Sequence, residues 1–112
     1  MIPLTFYKCL SDDTRLKSLL LLADGQPLCV CELMVALELS QPKVSRHLAE
    51  LRDCGIVEGE RQGRWVYYAL HRDLPDWARR VLEETSAASG DYLAQPRARL
   101  AEQARAPLCG TP

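Results

Sequence analysis

Cys29 and Cys31 set two thiols one residue apart. Thiols at that spacing can share one soft ion. Zinc suits them poorly, because it takes four ligands and no second cysteine pair matches the first. The two histidines, His47 and His71, stand at no recognisable ligand spacing. A trivalent metalloid suits the pair better. It prefers soft thiolates, accepts three, and leaves one side to its lone pair. A small cellular thiol or another cysteine of the chain can supply the third. The pair also lies where a helix begins, and unpaired N–H groups there favour thiolate over thiol. The plainer alternative is two small buried hydrophobes. Cys9, beside Leu10, reads as packing, and Cys54 as structural. Cys109 reads as incidental, or as a third ligand carried on a loose tail.

A second set of residues follows at once. Ser40 caps a helix with Pro42 in its first turn, where a missing N–H costs nothing. Val44, Leu48 and Leu51 repeat at i, i+4 and i+7 and form its buried stripe. Lys43, Ser45, Arg46, His47 and Glu50 face mostly outward. Near the start of such a helix, Ser45, Arg46 and His47 can meet DNA. Lys43 and Arg46 can contact phosphate or guanine, and Ser45, His47 and Gln41 can donate to phosphate or a base edge. Arg61 and Arg64 flank Gly63 in a turn and can reach the DNA backbone or minor groove. Taken singly, these are solvated charges on a helical bundle, and Glu50, Asp53, Glu58 and Glu60 keep the local charge small. Their order is what points to DNA.

The elements that must position these residues are mostly helical. Asp12 to Leu22 is a predicted helix capped by Ser11 or Asp12 and ended by Gly25-Gln26-Pro27. Phe6, Tyr7 and Leu10 mark a shorter helix before it, and Val30 to Leu37 a short one after it. Glu38-Leu39-Ser40 then joins two helices at a steep angle. Ile56 to Glu60 and Trp65 to Leu70 are strand candidates joined by Arg61-Gln62-Gly63-Arg64, a hairpin with a basic tip. Trp65 and Tyr67 alternate with Val66 and Tyr68, which suits packing on the helices better than base stacking. Leu74, Trp77, Ala78, Val81 and Thr85 give a long last helix, which Ala88 and Tyr92 extend. From Gly90 the signal weakens, Pro96 interrupts, and 98–106 is a short helix at most. The fold class is mostly α with a small β-hairpin: a winged helix-turn-helix, working as a homodimer. Residues 1–92 form the DNA-binding and dimerisation domain, and 93–112 a C-terminal tail, partly helical or disordered.

A chain of 112 residues allows one small domain with a modest core. Two apolar faces, Phe6, Tyr7 and Leu10 at the start and Trp77, Val81 and Thr85 near the end, predict a dimer interface. A net charge of −1 excludes polycation behaviour but permits a basic face. No long apolar run or signal peptide is visible, which predicts a cytoplasmic protein. Five cysteines without framework spacing then favour thiols over disulfides. Asp12-Asp13 reads as a helix cap with an N-terminal charge rather than a catalytic pair. No nucleophile set, P-loop or dinucleotide fingerprint appears.

At these residues the chain strongly resembles the ArsR/SmtB family of winged-helix repressors, in its arsenical-resistance branch. The matching segments are Leu10 to Leu16, Leu28-Cys29-Val30-Cys31-Glu32-Leu33, Ser40 to Leu48, and the wing Arg61 to Tyr68. The likeness spans roughly residues 4 to 85. It implies a homodimer that represses a resistance operon on double-stranded operator DNA and releases it when As(III) or Sb(III) binds Cys29 and Cys31. No catalytic cofactor is implied. The arsenical pattern carries a third cysteine where this chain has Met34, and a thioether is a poor substitute. The zinc site that other members carry on the last helix lacks its histidines here. Rival readings are a thiol redox-sensing or other soft-metal-sensing repressor, a small thiol-dependent arsenic-metabolism enzyme, and a metal buffer. The enzyme lacks an oxyanion-cradling loop, and two thiols are few for storage.

Overall fold

The computed structural model describes residues 1–105. They form six helices and three strands, in the order α1 (Pro3–Leu10), α2 (Asp13–Leu22), β1 (Leu28–Cys29), α3 (Val30–Leu37), α4 (Gln41–Asp53), β2 (Val57–Gln62), β3 (Trp65–Leu70), α5 (Asp76–Ala88) and α6 (Gly90–Arg105). Local signals set most of these bounds. Asp12 caps α2, its carboxylate accepting the Arg15 N–H at 3.0 Å. Ser40 stands at the N-cap of α4 but makes no side-chain cap bond there. At the other end Gly55, at φ +78°, donates to the Arg52 carbonyl, and Ile56 N–H reaches back to Leu51. That pair of bonds is a Schellman motif, and Ile56 is fully buried beneath it.

The core lies between α2 and the helices around it. Leu19 to Leu22 are all buried, and Val44, Leu48 and Leu51 of α4 reach them with Leu33 and Ala36 of α3 and Leu82 of α5. Phe6 belongs to this core rather than to a dimer interface. It is 0% exposed within its own chain, with its ring edge-on to Trp77 at 5.1 Å and Tyr7 at 5.2 Å. Period alone could not tell which side of α1 would meet α5.

Two elements depart from expectation. The hairpin is a three-stranded sheet of order β1-β3-β2, because Leu28 and Cys29 pair with Tyr68 and Tyr67 of β3. Two residues are too few for an alternating pattern, so β1 left no sequence signal. The hairpin strands run from Val57↔Leu70 to Gln62↔Trp65, which puts Arg61 and Gln62 in β2 and leaves Gly63, at φ +64°, and Arg64 as the loop. Midway, Gly59 lies opposite Tyr68. A Cβ there would stand 3.0 Å from Val66 Cγ1 and 3.2 Å from the Tyr68 ring.

The second departure is at the C-terminal end. The long last helix is two helices, broken at Ser89, and the boundary expected at residue 92 falls inside α6. Pro96 sits within α6 and is buried. An interior proline costs a helix about 3 kcal/mol. Burial offsets that here: Leu93 is fully buried and Gln103 nearly so, with α6 lying along α3. No helix among the described residues is long and apolar enough to cross a membrane. Cys109 and the loose segment expected at 107–112 lie outside the described residues.

Candidate functional site

Helices α3 and α4, joined through Glu38-Leu39-Ser40, form the helix-turn-helix, and β2–β3 the wing. The joint depends on Glu38, which holds a left-handed φ of 54° at the C-cap of α3. A non-glycine residue at that φ needs support. Arg99 of α6 supplies it, donating to the Ala36 carbonyl at 2.9 Å and pairing with the Glu38 carboxylate at 3.0 Å. Sequence reasoning missed Arg99 because it lies beyond Pro96, where helical signal had faded.

Along α4, Gln41, Lys43 and Arg46 are exposed and Ser45 half-buried, with Gln41 Nε2 3.4 Å from Ser45 Oγ. Arg46 is 65% exposed and 4.0 Å from Glu50. Arg61 and Arg64 are exposed at the wing, where Arg61 Nε donates to the Gly63 carbonyl at 3.2 Å. The structure thus brings Gln41, Lys43, Ser45 and Arg46 onto one helix and the two arginines onto one hairpin tip. Two of the acidic neighbours are already engaged by cations. Arg15 takes Glu50 at 2.8 Å, and Arg72 takes Glu58 through its N–H at 2.6 Å and its Nε at 3.1 Å. The Arg72 backbone N–H, followed by its guanidinium, holds Glu58 below the usual carboxylate range.

His47 differs from expectation. Its side chain is only 12% exposed and turns inward toward Asp12, with Nδ1 3.8 Å from the carboxylate. Nδ1 is buried and has no hydrogen-bond partner. The signal was present, because His47 stands three residues after Val44 and four before Leu51, on the buried stripe. His47 therefore belongs to a polar clasp between the α1–α2 junction and α4. Arg15 is its centre, donating to the Cys9 carbonyl at 2.8 Å, the Lys8 carbonyl at 3.5 Å and Glu50. Beside the clasp, Cys9 and Cys54 are joined as a disulfide across 45 residues of sequence. This corrects the expectation of thiols rather than disulfides, and the reading of Cys9 as packing alone. Cysteine spacing carries no information about which helix ends the fold brings together.

The thiol pair occupies the seam between wing and helix-turn-helix. Cys29 pairs with Tyr67 as the last residue of β1 and is also the N-cap of α3. A capping box holds it: its side chain accepts the Glu32 N–H, and the Glu32 carboxylate accepts the Cys29 N–H at 3.0 Å. Glu32, three residues after Cys29, has the capping-box spacing and was legible. Cys29 is buried and Cys31 partly exposed, and both remain as thiols. Met34, one turn on, packs against the core. Among the described residues, no group of three or more His, Cys, Asp or Glu converges as a ligand set.

Residues 12–59 match the family model described as bacterial regulatory protein, arsR family. The chain is 49% identical over 107 residues to the arsenic resistance transcriptional regulator ArsR1 of Pseudomonas putida, covering 96% of this chain and 84% of that one. It is 46% identical over 84 residues to the arsenical resistance operon repressor of Escherichia coli, covering 75% and 72%. Reduced HlyU from Vibrio cholerae superposes with a TM-score of 0.68 at 32% identity, over 76% of this chain and 85% of that one.

Proposed function

The chain belongs to the arsR family of bacterial regulatory proteins, and on that premise we propose that it is a homodimeric repressor that releases operator DNA when As(III) or Sb(III) binds Cys29 and Cys31. It is a transcriptional regulator and not an enzyme, which disposes of the arsenic-metabolism alternative. Its place of action is the cytoplasm, where the DNA is. The observation that carries the metalloid reading is the double role of Cys29, as N-cap of α3 and as β1 partner of the wing strand.

Bridging Cys29 and Cys31 through one ion requires the Cys29 sulfur to turn from the Glu32 N–H toward Cys31. That opens the first turn of α3 and loads the β1–β3 pairing in the same step. Helix α4 follows α3 through a three-residue joint, so the reading head shifts relative to the wing. A coupling of about 1–3 kcal/mol is enough for a 5- to 150-fold change in operator affinity. The third thiolate comes from a small cellular thiol or from another cysteine of the chain; Cys9 and Cys54 are withdrawn from it whenever they are bonded to each other.

Gln41, Lys43, Ser45 and Arg46 are the major-groove residues of this reading, with Arg61 and Arg64 on the backbone or minor groove. The dimer face combines Tyr7 and Leu10 of α1 with Trp77, Val81 and Thr85 of α5. Ile2 and Leu4 join it, at 68% and 64% exposed. The deciding experiment titrates the operator complex with trivalent arsenic, beside zinc, cadmium and peroxide. Arsenic should dissociate wild-type protein, while Cys29→Ser and Cys31→Ser variants stay bound. Release of the double variant at the same arsenic concentration would refute the site. X-ray absorption of the loaded protein, with and without added small thiol, should count three sulfurs around arsenic.

A further inference from the structure

We propose that Cys9 and Cys54 form a second thiol site, a reversible oxidation site that gates the recognition helix independently of Cys29 and Cys31; this rests on the reading of α4 as the DNA-reading helix. The two residues sit at functional ends. Cys9 lies in the last turn of α1 and Cys54 is the C-cap of α4, its N–H bonded to the Glu50 and Arg52 carbonyls. Their Cα atoms are 7.1 Å apart and their sulfurs are joined. Cys9 is buried and Cys54 partly exposed, so an oxidant reaches Cys54 first.

The surroundings suit reversible use. Arg15, bonded both to the Cys9 carbonyl and to Glu50, already holds α4 against the α1–α2 junction without the bond. Opening the disulfide therefore leaves α4 attached and releases only its C-terminal end. Helix α1 also carries the exposed Ile2, Leu4 and Tyr7. In the proposed dimer it stands between the subunit interface and the reading head. A bond from α1 to the end of α4 fixes that helix to its own subunit's interface helix. The freedom by which two recognition helices settle into successive major grooves is then lost. The closed pair is the low-affinity state.

The chemistry balances with hydrogen peroxide as oxidant. The Cys54 thiolate attacks one peroxide oxygen, the O–O bond breaks, and water leaves with a sulfenic acid on sulfur. The Cys9 thiol attacks that sulfur, the S–S bond forms, and a second water leaves. Two thiols lose two electrons and two protons to one peroxide. A small cellular thiol reverses the step by exchange, two of its molecules becoming one disulfide.

The test uses the full chain with Cys29, Cys31 and Cys109 replaced by serine, reduced fully and then treated with hydrogen peroxide. Peptide mass mapping should find Cys9 joined to Cys54, and operator affinity should fall about tenfold on oxidation and recover on reduction. Adding Cys54→Ser, or Cys54→Ala at this partly exposed position, should abolish the response. Cys9→Ser serves as the reciprocal variant. Absence of the Cys9–Cys54 peptide, or a complete crosslink with unchanged or raised affinity, would overturn the proposal. Operator binding by reduced wild-type protein is measured in parallel. Its failure would overturn the repressor reading and the gating with it, while the mass map decides the bond separately.

Discussion

At the scale of single residues, exposure separates those proposed to read DNA from those that hold the helix in place. Arg46 is exposed and carries only a long contact to Glu50. Arg46→Ala is expected to weaken operator binding by about 1–3 kcal/mol, roughly five- to 150-fold, with thermal stability unchanged. Arg64→Ala should weaken binding evenly across DNA sequences and lower the salt slope by about one, as loss of a phosphate contact does. Binding isotherms at several salt concentrations check both. His47 is the contrasting case, since its ring fills the gap between α4 and the α2 cap. His47→Ala should cost about 1 kcal/mol of stability in denaturant unfolding. Its change in operator affinity should be the same for matched and mismatched sites. A base-specific loss would restore His47 to the reading face.

At the scale of elements, the helix before the recognition helix is held at both ends. Its start is the Cys29–Glu32 capping box on the wing sheet, and its end is the Arg99 clamp from α6. In the proposed mechanism, strain from an ion at the start would pass along this short helix to the joint at Glu38. The role of α6 follows from this, and Leu93 is its anchor. Leu93→Ala should destabilise the protein by about 2–5 kcal/mol, the usual cost of emptying a closed leucine site. Urea unfolding should show it as a lower midpoint at unchanged slope. A loss under 1 kcal/mol would mean that α6 is not part of the cooperative unit.

At the scale of the whole molecule, polar contacts tie the two ends of the chain together. Arg97 of α6 grips the Asp24 carboxylate at 3.0 and 2.9 Å and donates to Ser86 Oγ, which itself donates to the Leu20 carbonyl of α2 at 3.0 Å. Arg97, ahead of Ser86, holds Asp24 below the ordinary carboxylate range. A folded-state value below the unfolded one adds stability that is full above about pH 4 and lost as pH falls through the folded value. Asp24→Asn should flatten that acid limb, below about pH 4, in stability measured against pH. Tyr92 works at the opposite end of the scale. Burial and then Asp13 push its hydroxyl up to about 12, so its contribution is full below about pH 10 and lost above it. The exposed apolar residues of α1 bear on assembly. If the proposed dimer forms through this face, Leu4→Glu should leave a monomer in sedimentation at micromolar concentration and weaken operator binding with it. A dimer persisting in that variant would place the interface elsewhere.

The sequence by itself determined whatever is decided within one or two turns of chain. The Asp12 cap, the Val44–Leu48–Leu51 stripe, the bounds of α3, the Gly55 stop and the Gly63 loop all rest on neighbours a few residues away. Two thiols at the start of α3 and a basic wing tip were legible for the same reason. The tertiary structure decided everything that depends on what lies opposite. Phe6 became core because Trp77 of α5 covers it, and His47 turned in because Asp12 stands across from it. Residues 28 and 29 became a strand because β3 offered an edge. Pro96 stayed within a helix because packing around Leu93 offsets a lost backbone bond. Cys9 met Cys54 because two helix ends converge across 45 residues. Backbone propensity is a local energy, whereas burial and pairing are properties of two surfaces, and a linear pattern describes only one of them.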